Sequence, residues 1–151
     1  MSRLLSQAPR ADYHRAMTES SYVELAQRLE ALDFGSDEFL NALAGDVEFT
    51  AIGDHALLPW AGSFRGRDGV LEWRARLGGA LKYDTWEPLS WIGAGDIVLE
   101  LAHASGHARA TGRAYESDLA RIWTFRDGLV VRVATLYDTL SYALAIGVVT
   151  A

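Results

Sequence analysis

The chain has no cysteine, which excludes disulfides, thiolate zinc sites and cysteine nucleophiles. Lysine is almost missing as well. Lys82 stands alone, and the other basic residues are arginines scattered along the chain. With 14 Lys and Arg against 20 Asp and Glu, the net charge is −6. Phosphate backbones need clustered cations, so nucleic acid is not an expected partner. No apolar run approaches the roughly 18 residues that span a bilayer, and no membrane segment is expected. The opening stretch MSRLLSQAPRADYHRAM carries charge but no apolar core of signal-peptide length. Residues 1–17 read as a mobile N-terminal arm, with Met17 a second candidate start besides Met1. These features fit a cytoplasmic protein.

What is present is ordinary for a globular domain. Half of the 151 residues are hydrophobic and 23% are charged, enough for one core without covalent staples. Residues 18–151 are read as that single domain. Tyr22, Leu25, Ala26, Leu29 and Leu32 share one face of a helix predicted from Thr18 to Leu32, with Glu24, Gln27, Arg28 and Glu30 elsewhere. Its start is capped by Thr18 or by a Ser21–Glu24 box, and Gly35 stops it. Ser36 caps a short second helix ending at Gly45. Asp46 to Ile52 alternates as a strand, with Val47, Phe49 and Ala51 on one face.

The apolar loop Ala56 to Ala61, ALLPWA, reads as a flap closing over a pocket. Ser63 to Arg65 is a brief strand. Asp68 caps a third helix, in which Val70, Trp73, Leu77 and Leu81 share a face and Gly78-Gly79 marks the end. Strands follow. Tyr83 to Ile92 contains Pro88 and is expected at an edge or bulged. Ile97 to Ala104 is buried. Two long β-rich runs then flank Asp127-Gly128, a strong hairpin signal. Ser141 to Ile146 forms a terminal helix. Helices first and strands after predict an α+β fold, with a curved antiparallel sheet wrapped over about three N-terminal helices.

This order resembles the nuclear-transport-factor-two-like superfamily, and within it the SnoaL-like and ketosteroid-isomerase-like group. LPWAGSFRGRDGV between first strand and third helix, then TGR, then RDG, carry the likeness. The resemblance implies a cone with a deep apolar pocket and a homodimer formed through the outer face of the sheet. It also implies proton transfer of isomerase, cyclase or hydratase type on an apolar cyclic substrate. The group's acid–base positions, however, fall here on neutral or apolar residues, including Thr135, Phe49, Ala51, Ala102 and Ala104. A non-catalytic small-ligand-binding module, or a dimerisation domain, is therefore the alternative.

The candidate site follows from the hairpin. If the hairpin register sets Arg121 opposite Thr135, Leu119, Arg121 and Trp123 share a face with Val133, Thr135 and Tyr137. A cation inside an apolar cone costs several kcal/mol unless it is paired or hydrated. Arg121 is read as an anchor for a ligand oxyanion, as the partner of Glu100, or as an outward-facing residue. Arg121, Glu100 as base and Tyr137 as hydrogen-bond donor make the catalytic set. Tyr22, Phe49, His55, Trp60, Trp123 and Thr135 make the ligand-binding set. His103 is expected to face away from Glu100, Asp138 to cap the last helix, and Asp96 and Asp127 to serve as turn residues. His103 and His107 lack an acid at metal-ligand spacing, so neither metal nor cofactor is expected.

Overall fold

The computed structural model describes residues 21–151. The proposed arm, Met17 and the Thr18 cap lie outside the described residues. Helix α1 covers 21–30, and α2 runs Asp37–Asn41. Strand β1 is Leu43–Ala51 and β2 is Gly62–Arg65, followed by helix α3, Gly66–Ala80. Then come β3 Leu81–Ala94, β4 Ile97–Ala108, β5 Ala114–Arg126, β6 Leu129–Tyr137 and helix α4 Thr139–Ile146. The strands form one curled, unclosed sheet in the order β2-β1-β6-β5-β4-β3. One feature departs from an all-antiparallel meander. β1 and β6 run parallel, because the chain passes from β2 at one edge through α3 to β3 at the other edge before the antiparallel run β3 to β6 brings it back to β1.

The hairpin closes in two residues, Asp127 and Gly128, at φ 53° and 80°. Those positive angles give the turn the twist that the flanking strands need. The turn alone would set Arg121 against Ala134, but a register shift between Thr124 and Phe125 puts Arg121 opposite Thr135 and Leu119 opposite Tyr137. Tyr22 of α1 stacks on Phe125 at 4.5 Å, and its hydroxyl accepts from Gly128 N at 3.2 Å. The first helix is thereby tied to the turn.

The inner face of the sheet and the helices enclose an aromatic core. Phe34 stacks on Phe39 at 4.1 Å, and Phe49 meets Trp73 edge-on at 5.3 Å. Ser36 caps α2 by accepting from Phe39 N. Asp138 caps α4 by accepting from Ser141 N. Several boundaries differ from the sequence reading, among them Leu81, which opens β3 and does not belong to α3. β1 begins at Leu43, so Gly45 lies inside a strand and does not end a helix. α3 begins at Gly66, which leaves Asp68 in its first turn and not at its cap. Leu58 and Trp60 of the apolar loop are buried, whereas Leu57 is exposed. Among the described residues, no helix is long and apolar enough to cross a membrane.

Edge strand β3 departs from simple alternation twice, between Tyr83 and Thr85 and between Pro88 and Ser90. Each β-bulge shifts the pleat by one residue. Tyr83, Trp86, Pro88 and Trp91 consequently pair with Gly106, Ala104, Ala102 and Glu100, all inward positions of β4. Strict alternation would have sent Trp86 and Pro88 to the other face from Tyr83 and Trp91. The two bulges build one wall of the site.

Candidate functional site

Arg121 sits in the middle of β5 with Glu100 and Thr135 as its cross-strand neighbours. It points inward and is only 5% exposed. A buried guanidinium needs a counter-charge, and the last residue of α1 supplies it. Arg121 Nη1 donates to Glu30 Oε1 at 2.9 Å and to Oε2 at 2.7 Å. Its Nε donates to Thr135 Oγ1 at 3.3 Å. The guanidinium also lies over two aromatic rings, with Cζ 4.5 Å from the centroid of Trp86 and 5.4 Å from that of Phe34. Such faces attract a cation through the ring quadrupole.

Glu100 is fully buried beside this pair. Its Oε1 accepts from Trp123 Nε1 and its Oε2 from Trp86 Nε1, each at 3.3 Å. The cluster thus holds two carboxyl groups and one guanidinium within an apolar shell. One cation balances one carboxylate. Retaining a proton is the least costly way to settle the excess charge. That proton falls to Glu30, whose pKa is pushed up to about 8. Burial is the main cause. The Arg121 charge opposes it, while the Glu100 charge and a carboxyl–carboxyl hydrogen bond reinforce it. Burial also works against the Arg121 charge, but the carboxylates of Glu30 and Glu100 outweigh it and hold the guanidinium cationic.

The cluster forms the floor of an open cavity of about 660 Å³, within the range of small-molecule sites. Phe34, Trp73, Tyr83, Trp86 and Trp91 supply flat apolar walls, and Glu30 and Arg121 supply the polar floor. A planar ring can lie between such walls while a polar substituent reaches the Glu30 carboxyl.

The predicted residues separate into groups. Arg121, Glu100, Trp123 and Thr135 come together at or just beneath this floor. Tyr137 and Trp60 do not join them there. The Trp60 Nε1 donates to Tyr137 Oη at 3.0 Å, and Tyr137 Oη donates to Ile52 O. Both instead line a smaller inner cavity, which also touches Arg121 and Thr135. Burial raises the Tyr137 phenol to about 12. Tyr22 is turned to the hairpin, and Phe49 is packed among Phe34, Phe39 and Trp73. His55 is exposed on the far side of the β2 edge, its Nδ1 bonded to Ala61 O at 2.8 Å. His103 faces outward between Asp118 at 2.8 Å and Glu116 at 2.7 Å. It points away from Glu100, as alternation requires.

Glu30 and the walls Phe34, Trp73, Tyr83, Trp86 and Trp91 are site residues that sequence reasoning misses. Helical periodicity sets Glu30 among the polar residues of its helix. One signal points the other way, since Tyr22, Ala26 and Glu30 recur every four residues along the buried stripe. The β3 tryptophans give no such signal, because bulges are not visible in an alternation pattern.

Comparison with known proteins places this geometry. The model of the SnoaL-like domain matches residues 22–133. None of the curated proteins compared with the chain matches it. An NTF2-like protein of Burkholderia thailandensis is 30% identical, with 72% of this chain and 82% of that one covered at a TM-score of 0.64. A protein of a Jannaschia species, described as a SnoaL-like polyketide cyclase, is 17% identical. The match covers 88% of this chain and 96% of that one at a TM-score of 0.70. TerC, co-crystallised with polyporic acid, is 24% identical over 72% of this chain and 83% of its own, with a TM-score of 0.64. The last two establish likeness of fold alone. From the span of the family model and the 30% identical relative, the chain belongs to the SnoaL-like domain family of the NTF2-like superfamily.

Proposed function

We propose that this protein binds a planar, largely apolar small molecule in the 660 Å³ cavity and moves a proton on it through Glu30. The observation that carries this reading is a carboxyl with a pKa near 8 at the floor of an open aromatic cavity, beside a permanent cation. A group that titrates close to neutral pH can both give and take a proton, and positioned acids and bases of this kind contribute about 10²–10⁴-fold in rate. Arg121 would stabilise negative charge that develops on a ligand oxygen, as preorganised donors do. Glu100, held by two indole N–H groups, keeps the Glu30 proton in place. The family includes isomerase- and cyclase-type members, which makes proton transfer at carbon the reaction class that fits best.

The bidentate Arg121–Glu30 pair favours a second reading. A carboxyl locked in an ion pair is a weak base, and the cavity would then hold a ligand without turning it over. Both readings include a homodimer through the outer face of the sheet. There Ile92, Leu99, Ile122 and Ala134 form one cross-strand row, and Leu101, Ala120 and Leu136 form the next. A cytoplasmic location is part of the same proposal.

Deuterium exchange at the acidic carbon of 2-tetralone, followed by proton NMR, tests the enzyme reading. The native protein should accelerate exchange over buffer, and Glu30→Gln should remove at least about 90% of that acceleration while binding persists. Binding is read from quenching of tryptophan fluorescence. Quenching with no acceleration would leave the binding module standing, and neither signal would sink both readings.

A further inference from the structure

Behind the Arg121 guanidinium lies a small inner cavity of about 20 Å³. It shares Trp73, Leu77, Tyr83 and Arg121 with the larger one, so side chains alone partition the two. Its wall carries an anomaly. Tyr142, on α4, is 1% exposed, and its hydroxyl has no hydrogen-bond partner among the described residues. The Tyr83 hydroxyl, on the wall of the same cavity, is a polar group that interacts with it, yet the two oxygens fall short of direct hydrogen-bond geometry. Burial drives the Tyr142 phenol far above its usual range, so it keeps its proton and remains a donor.

A second group has capacity to spare. The Thr135 hydroxyl accepts from Arg121 Nε at 3.3 Å. Its own hydrogen therefore needs an acceptor, since a hydroxyl offers one donor and two lone pairs. Tyr142 and Thr135 line the same cavity. Leaving a buried hydroxyl unsatisfied is unfavourable. A space of roughly 10–15 Å³ or more, with at least two polar partners, suffices to hold one water.

We infer that this inner cavity is a binding site for a single water molecule, bridging Tyr142 Oη and Thr135 Oγ1 and thereby holding Arg121 in register with Glu30. Tyr142 is then a positioning residue. It touches neither the large cavity nor Glu30, yet it braces the guanidinium through water and Thr135. The inference stands apart from catalysis, because a binding module would need the same brace.

Three measurements on the full chain test it. A crystal structure should show one ordered water within about 3.2 Å of both hydroxyl oxygens. In thermal unfolding, Tyr142→Phe and Thr135→Val should each lower Tm by roughly 2–5 °C. The double variant should fall no further than about the larger single loss, because both remove the same bridge. Finally, the Glu30 carboxyl, followed by ¹³C NMR, should titrate at higher pH in Tyr142→Phe, since a loosened Arg121 opposes protonation less. Asp138→Ala weakens α4 without touching the cavity and should leave that midpoint in place. A cavity without water, or a Tyr142→Phe variant as stable as the native protein or more so, would overturn the water site. Additive losses in the double variant would do the same. An unmoved Glu30 midpoint would overturn the positioning role.

Discussion

Replacing Glu30 by Gln probes the charge balance on which the site reading depends. The native carboxyl titrates near 8, whereas an unfolded chain would titrate it near 4.5. Folded protein therefore binds this proton more tightly than unfolded protein. The stabilisation it brings is complete below pH 4.5 and is lost as pH rises through about 8. The steepest loss is about 1.4 kcal/mol per pH unit, and the whole interval corresponds to about 5 kcal/mol. The side chain is only 10% exposed, so solvent screens little of this. Gln keeps the shape and an acceptor for Arg121 Nη1 but has no proton to lose.

Urea unfolding at half-unit steps from pH 5 to pH 9, with linear extrapolation, measures the difference. Near pH 5 the two proteins should lie within about 1–2 kcal/mol of each other. Toward pH 9 the native protein should fall relative to Glu30→Gln by several kcal/mol. The histidines do not confuse the comparison. His103, raised by its bonds to Asp118 and Glu116, also loses its contribution as pH rises, but it does so in both proteins. Parallel curves across the range would refute the reasoning. So would a native protein that gained on the variant with pH, since that would mean an ionised Glu30 satisfied by Arg121.

Other substitutions address the frame. Arg121→Ala should cost about 3–5 kcal/mol in urea unfolding, because it leaves two buried carboxyls without their cation. Asp138→Ala removes the cap of α4 and should cost about 1 kcal/mol by the same assay. A methyl group at Gly106 would collide with Lys82 O and the Tyr115 hydroxyl that donates to it. Gly106→Ala should therefore lose about 1–3 kcal/mol and shift the β3–β4 amide resonances.

The candidate site is partly legible in the sequence. The inward placement of Glu100 relative to His103 follows from a side-chain period of two. The Arg121–Thr135 pairing does not follow from the turn alone, because two turn residues set Arg121 against Ala134 and a bulge between Thr124 and Phe125 moves it to Thr135. Trp86 and Trp91 are not legible, because a bulge depends on how the partner strand packs and leaves no mark in the alternation. Glu30 is hidden for another reason. A polar residue at the end of an amphipathic helix usually faces water, and only contact with Arg121, 91 residues away, makes it internal.

By itself the sequence determined the order of elements, the position of the hairpin turn, the caps at Ser36 and Asp138, and the absence of cysteine chemistry. Each is a consequence of local geometry or composition. Tertiary structure alone decided the charge of the site. Whether a carboxyl keeps its proton depends on how far it is buried and on which charges surround it. Glu30, Glu100 and Arg121 come from three elements that only the fold brings into one apolar shell.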